Sequence, residues 1–423
     1  MRDCLPPTKG SGALGSLLCD AAMPKSEQAL VTPELLRWGR DTAGLDVDAA
    51  ARKAGVEPDR VERWERGDAR PTVAQLRNLA RIYKRPLAAF YLPEPPPPLP
   101  ALREFRRPEA AARPRSPALR LAHRQAAYRR QGALELLEEI GERPPAFRLS
   151  ADPDGDPEGI AAHLRTELRI TCEQQAGWSD HYDALNAWRS ACEDAGTLVC
   201  QAADVEQEEM SGFSIGEFPL PVVVANIKDV PQRRVFTLLH EIVHLAMRHG
   251  GLCDLDERPG RTQEAHAIEV FCNRVAGAIL VPLDDLRGQE VVRGTAGRAS
   301  WSDEGTRALA RRYNVSWEVV LRRLLVAGLI GRDFYTQKRE EYARGAEGPR
   351  SRSGEGGASQ AQKALSRTGP SFARIVLDAY RLDHITASDV AGYLAVRVKH
   401  LPEIESALWP RGRPEPTRPG ARP

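Results

Sequence analysis

Apolar residues in the middle of the chain fall into two long helical stripes, preceded by three short continuous runs. From Arg233 to His249, the residues Val235, Leu238, Leu239, Ile242, Leu245 and Ala246 recur at the helical period, and Gly250-Gly251 supply a stop. From about Thr262 to Leu280 a second stripe is made by Ala265, Ile268, Cys272, Val275, Ala276 and Ile279, and Pro282 ends it. Ahead of these helices, Thr197 to Cys200, Gly212 to Ile215 and Val222 to Ala225 read as strands. Helices are expected near Glu158 to Leu168 and from Tyr182 to Ala195, the latter closed by Gly196. Mixed strands followed by two long helices predict an α+β domain.

The N-terminal part has a different grain. Thr32-Pro33-Glu34 starts a helix, Asp46 opens a second that ends near Gly55, a third runs from about Pro58 to Glu65, and Pro71-Thr72 lead a fourth through Leu76, Leu79 and Ile82. Short helices around the tight turn Ala54-Gly55-Val56 predict a helix-turn-helix bundle. Over about 60 residues, Val61-Glu62-Arg63-Trp64-Glu65-Arg66-Gly67 with Arg70-Pro71-Thr72 resembles the repressor-like helix-turn-helix of the XRE family. Glu57, Pro58 and Asp59 open the expected reading helix, where acids repel phosphate and proline donates nothing; Arg60 and Arg63 remain as candidate DNA contacts. The competing use of such a unit is protein docking.

The expected organisation is therefore multidomain: an all-α helix-turn-helix bundle, then an α+β domain, then C-terminal helices. Residues 1–23 read as a disordered extension and 24–92 as the helix-turn-helix domain. Residues 93–145, opened by Pro95-Pro96-Pro97-Pro98, read as a proline linker and basic helical connector. Its arginines, from Arg103 to Arg130, are expected on a solvated face paired with Glu135, Glu138 and Glu139. The α+β core is placed at 146–290 and its helical extension at 291–343, where Ala310 to Ser316 resembles a second helix-turn-helix packed onto the core. A Gly/Ser/Arg-rich linker is expected over 344–370, a small helical module over 371–410 and a disordered tail over 411–423.

Composition narrows the class. The formal net charge is +2, so no nucleic-acid partner follows from overall charge. Seven cysteines form no C-x-x-C pair, which argues for a reducing compartment, the cytoplasm, over a disulfide framework. No apolar run approaches a membrane span, and the glycines and serines within the first 22 residues interrupt any signal-like stretch.

The chemistry is concentrated in His240-Glu241-Ile242-Val243-His244. Four residues turn a helix by about 400°, so both imidazoles share one face, and the adjacent carboxylate can act as a general base for water beside a metal. A catalytic zinc needs three protein ligands and an open position. The sequence after His244 lacks the x-x-Gly-x-x-His continuation that a third histidine would require. Glu269 interrupts the apolar stripe of the following helix, where a buried carboxylate needs compensation by a cation. Glu264, His266 and His249 are the other candidates for the third ligand.

His240 to His244 preceded by Phe236-Thr237-Leu238, then Glu269-x-x-Cys272-Asn273-x-x-Ala276 and Leu280-Val281-Pro282, resembles the ImmA/IrrE metallopeptidases. The likeness covers most of residues 30 to 335, with Val275 standing where an aromatic is usual. It implies that the α+β domain is a zincin-like metallopeptidase, with one Zn²⁺ bound by His240, His244 and Glu269 and with Glu241 catalytic. It implies cleavage of a helix-turn-helix repressor or antitoxin-like protein in a stress or mobile-element response. Gly212, Phe213, Ser214 and Ile215 are the candidate substrate strand, by β-addition. Tyr182, His181, Arg234 and Tyr335 are candidates for stabilising an oxyanion. The alternative reading is a DNA-binding regulator or toxin–antitoxin component that uses the peptidase fold as scaffold or sensor.

Overall fold

The structure is a computed structural model, and it describes residues 27–97, 116–248, 263–294, 301–345 and 357–409, with the side chains of 263–266 and 343–345 left aside. The N-terminal extension, the C-terminal tail, the arginines from Arg103 to Arg115, His249 and Gly250-Gly251 lie outside the described residues. The chain divides into two compact units, Met1–Pro96 and Pro97–Pro423.

In the first unit α1 (Pro33–Thr42), α2 (Val47–Ala54), α3 (Pro58–Arg66) and α4 (Val73–Ile82) precede a 3-10 turn, Leu87–Tyr91. Asp46 caps α2 by accepting from the Ala49 N–H, and Thr72 and Gln75 form a reciprocal capping box on α4. Leu35, Leu36, Ala50, Val61, Trp64, Leu76, Leu79 and Phe90 make its core. Inside it Arg40 grips both Glu65 carboxylate oxygens at 2.7 and 2.8 Å.

The second unit opens with α5 (Pro117–Glu139), α6 (Pro157–Leu168), α7 (Cys172–Ala176) and α8 (His181–Asp194). A three-stranded sheet follows: β1 (Leu198–Ala202), β2 (Gly212–Ile215) and β3 (Val222–Asn226), in the order β1-β3-β2. β3 is central, parallel to β1 and antiparallel to β2, so among the described residues β2 is an edge strand. Next come α9 (Pro231–Ala246), α10 (Gln263–Leu280), α11 (Leu283–Gly288), α12 (Glu290–Arg293), α13 (Asp303–Tyr313), α14 (Trp317–Val326) and α15 (Arg332–Gly345). The chain ends with α16 (Gln360–Thr368), α17 (Pro370–Arg381), α18 (Ala387–Leu394) and α19 (Leu401–Leu408).

Both faces of the sheet are covered, which explains why its strands read as unbroken apolar runs. Val199 and Val223 point into a core shared with α6, α8, α9, α10, α13 and α14. Their neighbours Leu198, Cys200, Phe213, Ile215, Val222 and Val224 point the other way, into a core with α5 and α16–α19. The helices α13 and α14, which carry the second helix-turn-helix pattern, pack in the first of these cores through Leu309, Tyr313, Leu321 and Leu324.

The structure departs from the sequence reading at both ends of this unit. Gln360–Thr368 is a helix, although composition placed it in a linker. The segments expected as connector and terminal module together cover one sheet face. Their attachment is polar and buried. The Arg189 guanidinium donates to the carbonyls of Val199, Leu365 and Ser366, and Glu193 accepts from Ser371 N–H and Oγ. Arg130 pairs with Glu217 at 2.8 Å rather than with acids on its own helix, and Arg124 is buried.

Candidate metal centre

Helix α9 starts at Pro231, whose missing N–H costs nothing in the first turn. From Arg234 to Ala246 every residue except Phe236 is buried. Its apolar stripe meets α8 and α10. Its other stripe, Thr237, His240, Glu241 and His244, is polar and also buried, so each group needs a partner.

The partners come from α10 and from β2. His240 Nε2 and His244 Nε2 stand 3.1 Å apart. Glu269, one face of α10, brings Oε2 to 3.5 Å from His240 Nε2 and Oε1 to 3.2 Å from His244 Nε2. All three ligand atoms lie within 4.8 Å of one another, and the three residues are buried. Tetrahedral coordination with bonds of about 2.0–2.1 Å separates its donors by about 3.4 Å, so these spacings fit one small divalent cation. The donor set, two imidazoles and a carboxylate, suits zinc. Burial pushes the Glu269 carboxyl up, but the imidazoles of His240 and His244 beside it outweigh burial and bring it down to about 2.

Glu241 faces the sheet. Ser214, in the edge strand, donates its hydroxyl to Glu241 Oε2 at 2.8 Å. The strand can come this close because Gly212 has no side chain: a Cβ there would fall onto Thr237 Cγ2 and 2.8 Å from the Val224 carbonyl oxygen. Gly216 meets Leu245, its own absent Cβ falling 3.6 Å from Leu245 Cδ2. Gly212, Ser214 and Gly216 thus run alongside Thr237, Glu241 and Leu245, two strand residues (~6.6 Å) matching one helical turn (~6 Å). The Ser214 contact was absent from the sequence reading. Small residues alternating over 212–216, opposite polar residues spaced by four, carry that information.

One turn along α10 from Glu269, Cys272 is buried, and burial with the charges of Glu269 and Glu241 pushes its thiol up, so it remains a thiol. His249 lies outside the described residues, as do the side chains of Glu264 and His266. Of the oxyanion candidates, Arg234 lies over the Tyr182 ring at 5.7 Å and donates to Gln201 Oε1 at 2.6 Å. Tyr335 receives Arg322 at 3.4 Å, and His181 begins α8. In the first unit Arg60 and Arg63 are exposed on α3, Arg60 over the Trp64 ring at 5.7 Å, among the exposed acids Glu57, Asp59 and Glu62. Arg66 is committed to Glu62 and Asp68.

A helical bundle of helix-turn-helix type and a mixed α/β unit holding a buried two-histidine, one-carboxylate cluster define a regulator-like module joined to a domain of metallopeptidase type. Residues 34–89 match the family model of a helix-turn-helix domain, and residues 192–325 match that of an IrrE N-terminal-like domain. The chain thus has the arrangement of an N-terminal helix-turn-helix followed by an ImmA/IrrE-type domain. The first match points to DNA-binding regulation and the second to a peptidase. No curated protein matches the chain. Among the described residues no helix is long and apolar enough to cross a membrane.

Proposed function

We propose that this protein is a zinc-dependent endopeptidase of transcriptional regulation, cleaving a helix-turn-helix repressor or antitoxin-like protein. The observation that carries the reading is the convergence of the buried His240, His244 and Glu269, whose ligand atoms lie within 4.8 Å of one another. Such a buried trio, with Glu241 beside it, costs more than a packed apolar cluster unless a cation compensates it.

His240 and His244 as neutral imidazoles and Glu269 as carboxylate would hold the cation, which when bound supplies Lewis acidity toward water and the scissile carbonyl. Glu241 takes a proton from the attacking water and returns it to the departing amine. The peptide lies extended beside β2, the edge strand among the described residues, adding a strand antiparallel or parallel to Gly212–Ile215, with main-chain hydrogen bonds setting its line. In this reading the helix-turn-helix unit recruits DNA or the repressor, with Arg60 and Arg63 as the basic contacts.

The test has two parts. Metal analysis of the purified protein is expected to give one zinc per chain in wild type and in Glu241→Gln. Quantitative proteomics of cells carrying wild type against Glu241→Gln is expected to show one regulator stabilised in the variant, with loss of derepression. Equal proteomes and equal transcription would instead favour the scaffold or toxin–antitoxin reading. An operator shift indifferent to Arg60→Ala and Arg63→Ala would remove DNA reading from α3.

A further inference from the structure

The Ser214 contact has a role that the proposed chemistry leaves unassigned. Ser214 is 4 % exposed and Glu241 3 %, and the hydroxyl reaches Oε2 at 2.8 Å across the gap between strand and helix. We infer that Ser214 is a positioning residue: its hydroxyl fixes the Glu241 carboxylate, holding Oε2 and leaving Oε1 to accept the proton from solvent. This inference rests on the peptidase reading for its meaning but not for its test.

Three observations converge on it. A carboxylate on α9 has two freely turning side-chain bonds beyond Cβ, and a hydrogen bond to one oxygen selects a single plane for the group. The donor sits on the strand proposed to receive the peptide, so the same backbone fixes both the base and the line of the substrate. The approach is enforced by neighbours on either side. Gly212 allows the strand to touch Thr237, and the antiparallel register Gly212↔Ala225 through Ile215↔Val222 prevents Ser214 from sliding along the helix. A one-residue slip would put Phe213 or Ile215 against Glu241 instead.

The test uses the full-length protein and acetohydroxamic acid, a metal chelator whose hydroxyl proton is best accepted by a carboxylate lying beside the metal. Zinc affinity is measured by chelator competition, then hydroxamate affinity on the zinc-loaded protein, for wild type, Glu241→Gln and Ser214→Ala. The span between wild type and Glu241→Gln sets the scale. Ser214→Ala is expected to bind zinc as wild type does but to bind the hydroxamate about tenfold more weakly, the loss of one hydrogen bond to a charged group. Ser214→Thr and Ser214→Val, equal in shape, separate the hydroxyl from packing: threonine is expected to bind the hydroxamate about tenfold more tightly than valine. Unchanged hydroxamate affinity in Ser214→Ala, equal affinities in the threonine and valine variants, or zinc loss in step with hydroxamate loss would each overturn the positioning role. If wild type binds zinc and hydroxamate yet cells carrying wild type and Glu241→Gln have equal proteomes, the peptidase reading fails while the positioning result stands. A wild type that binds no zinc overturns both.

Discussion

Replacing Gly212 by alanine tests the contact on which the site's geometry depends. The new Cβ would sit 2.8 Å from the Val224 carbonyl oxygen, where ordinary contact begins at 3.4 Å, and closer still to Thr237 Cγ2. The clash with Thr237 Cγ2 is the larger, so β2 must retreat from α9 by more than about 0.6 Å, while the Val224 carbonyl must tilt and weaken the β2–β3 ladder. A retreat from α9 of about 0.6 Å already takes Ser214 Oγ from 2.8 Å to about 3.4 Å from Glu241, the edge of hydrogen-bonding range. Overpacking by one methyl usually costs about 1–3 kcal/mol, and the upper end is expected because one obstacle is backbone. Thr237→Ser removes the other obstacle, so the double variant should recover about 1 kcal/mol, a coupling beyond the additive error of ~0.5 kcal/mol. Hydrogen exchange of peptides covering residues 198 to 246, followed through a urea series, reads both quantities. A cost under about 0.5 kcal/mol for Gly212→Ala, typical of unconstrained surface sites, would show that β2 is not pressed onto α9. So would a double variant without recovery.

Other substitutions probe other parts of the chain. Glu269→Ala removes one of three donors from a buried cluster, and metal analysis is expected to find zinc occupancy lost while Glu241→Gln keeps it; full occupancy in Glu269→Ala would reassign the third ligand. Gly369 has φ +97° and its Cβ would meet the Val199 carbonyl oxygen at 2.7 Å, so Gly369→Ala should destabilise the second unit by about 2–3 kcal/mol in urea unfolding. Arg323 donates to both Glu158 oxygens at 2.7 Å and to the Val281 carbonyl at 2.8 Å, tying α14 to α6 and to the end of α10; Arg323→Ala is expected to cost about 3 kcal/mol, read by the same unfolding. In the first unit Arg40→Ala strands the buried Glu65 and should cost about 3 kcal/mol, seen as a lowered midpoint for exchange in α1 and α3.

The elements nearest the site were legible in the amino-acid order because their periods are short. Strand runs at 197–200, 212–215 and 222–225 and helices near 233–249 and 262–280 lie within a few residues of the observed elements. The motif His240 to His244 needs only one helical turn to bring two imidazoles together, so spacing alone fixed their relation. Glu269 stood out as a charge in an apolar stripe, a local anomaly that pattern reveals. The repressor-like bundle was equally plain from its caps and its Gly55 turn.

Relations between distant segments were another matter. That Ser214 faces Glu241 depends on strand register, and a shift of one residue would reverse which side chains meet the helix. That α5 and α16–α19 cover the outer sheet face follows from which apolar stripes find each other, not from any stripe by itself; Gln360–Thr368, buried only through Ala361, Ala364 and Thr368, therefore looked like linker. The chain's own order determined the two helix periods, the metal-ligand spacing and the helix-turn-helix. Only the tertiary structure decided how closely strand and helix approach, because that distance is set by a missing side chain at Gly212 meeting a residue 25 positions away in the chain.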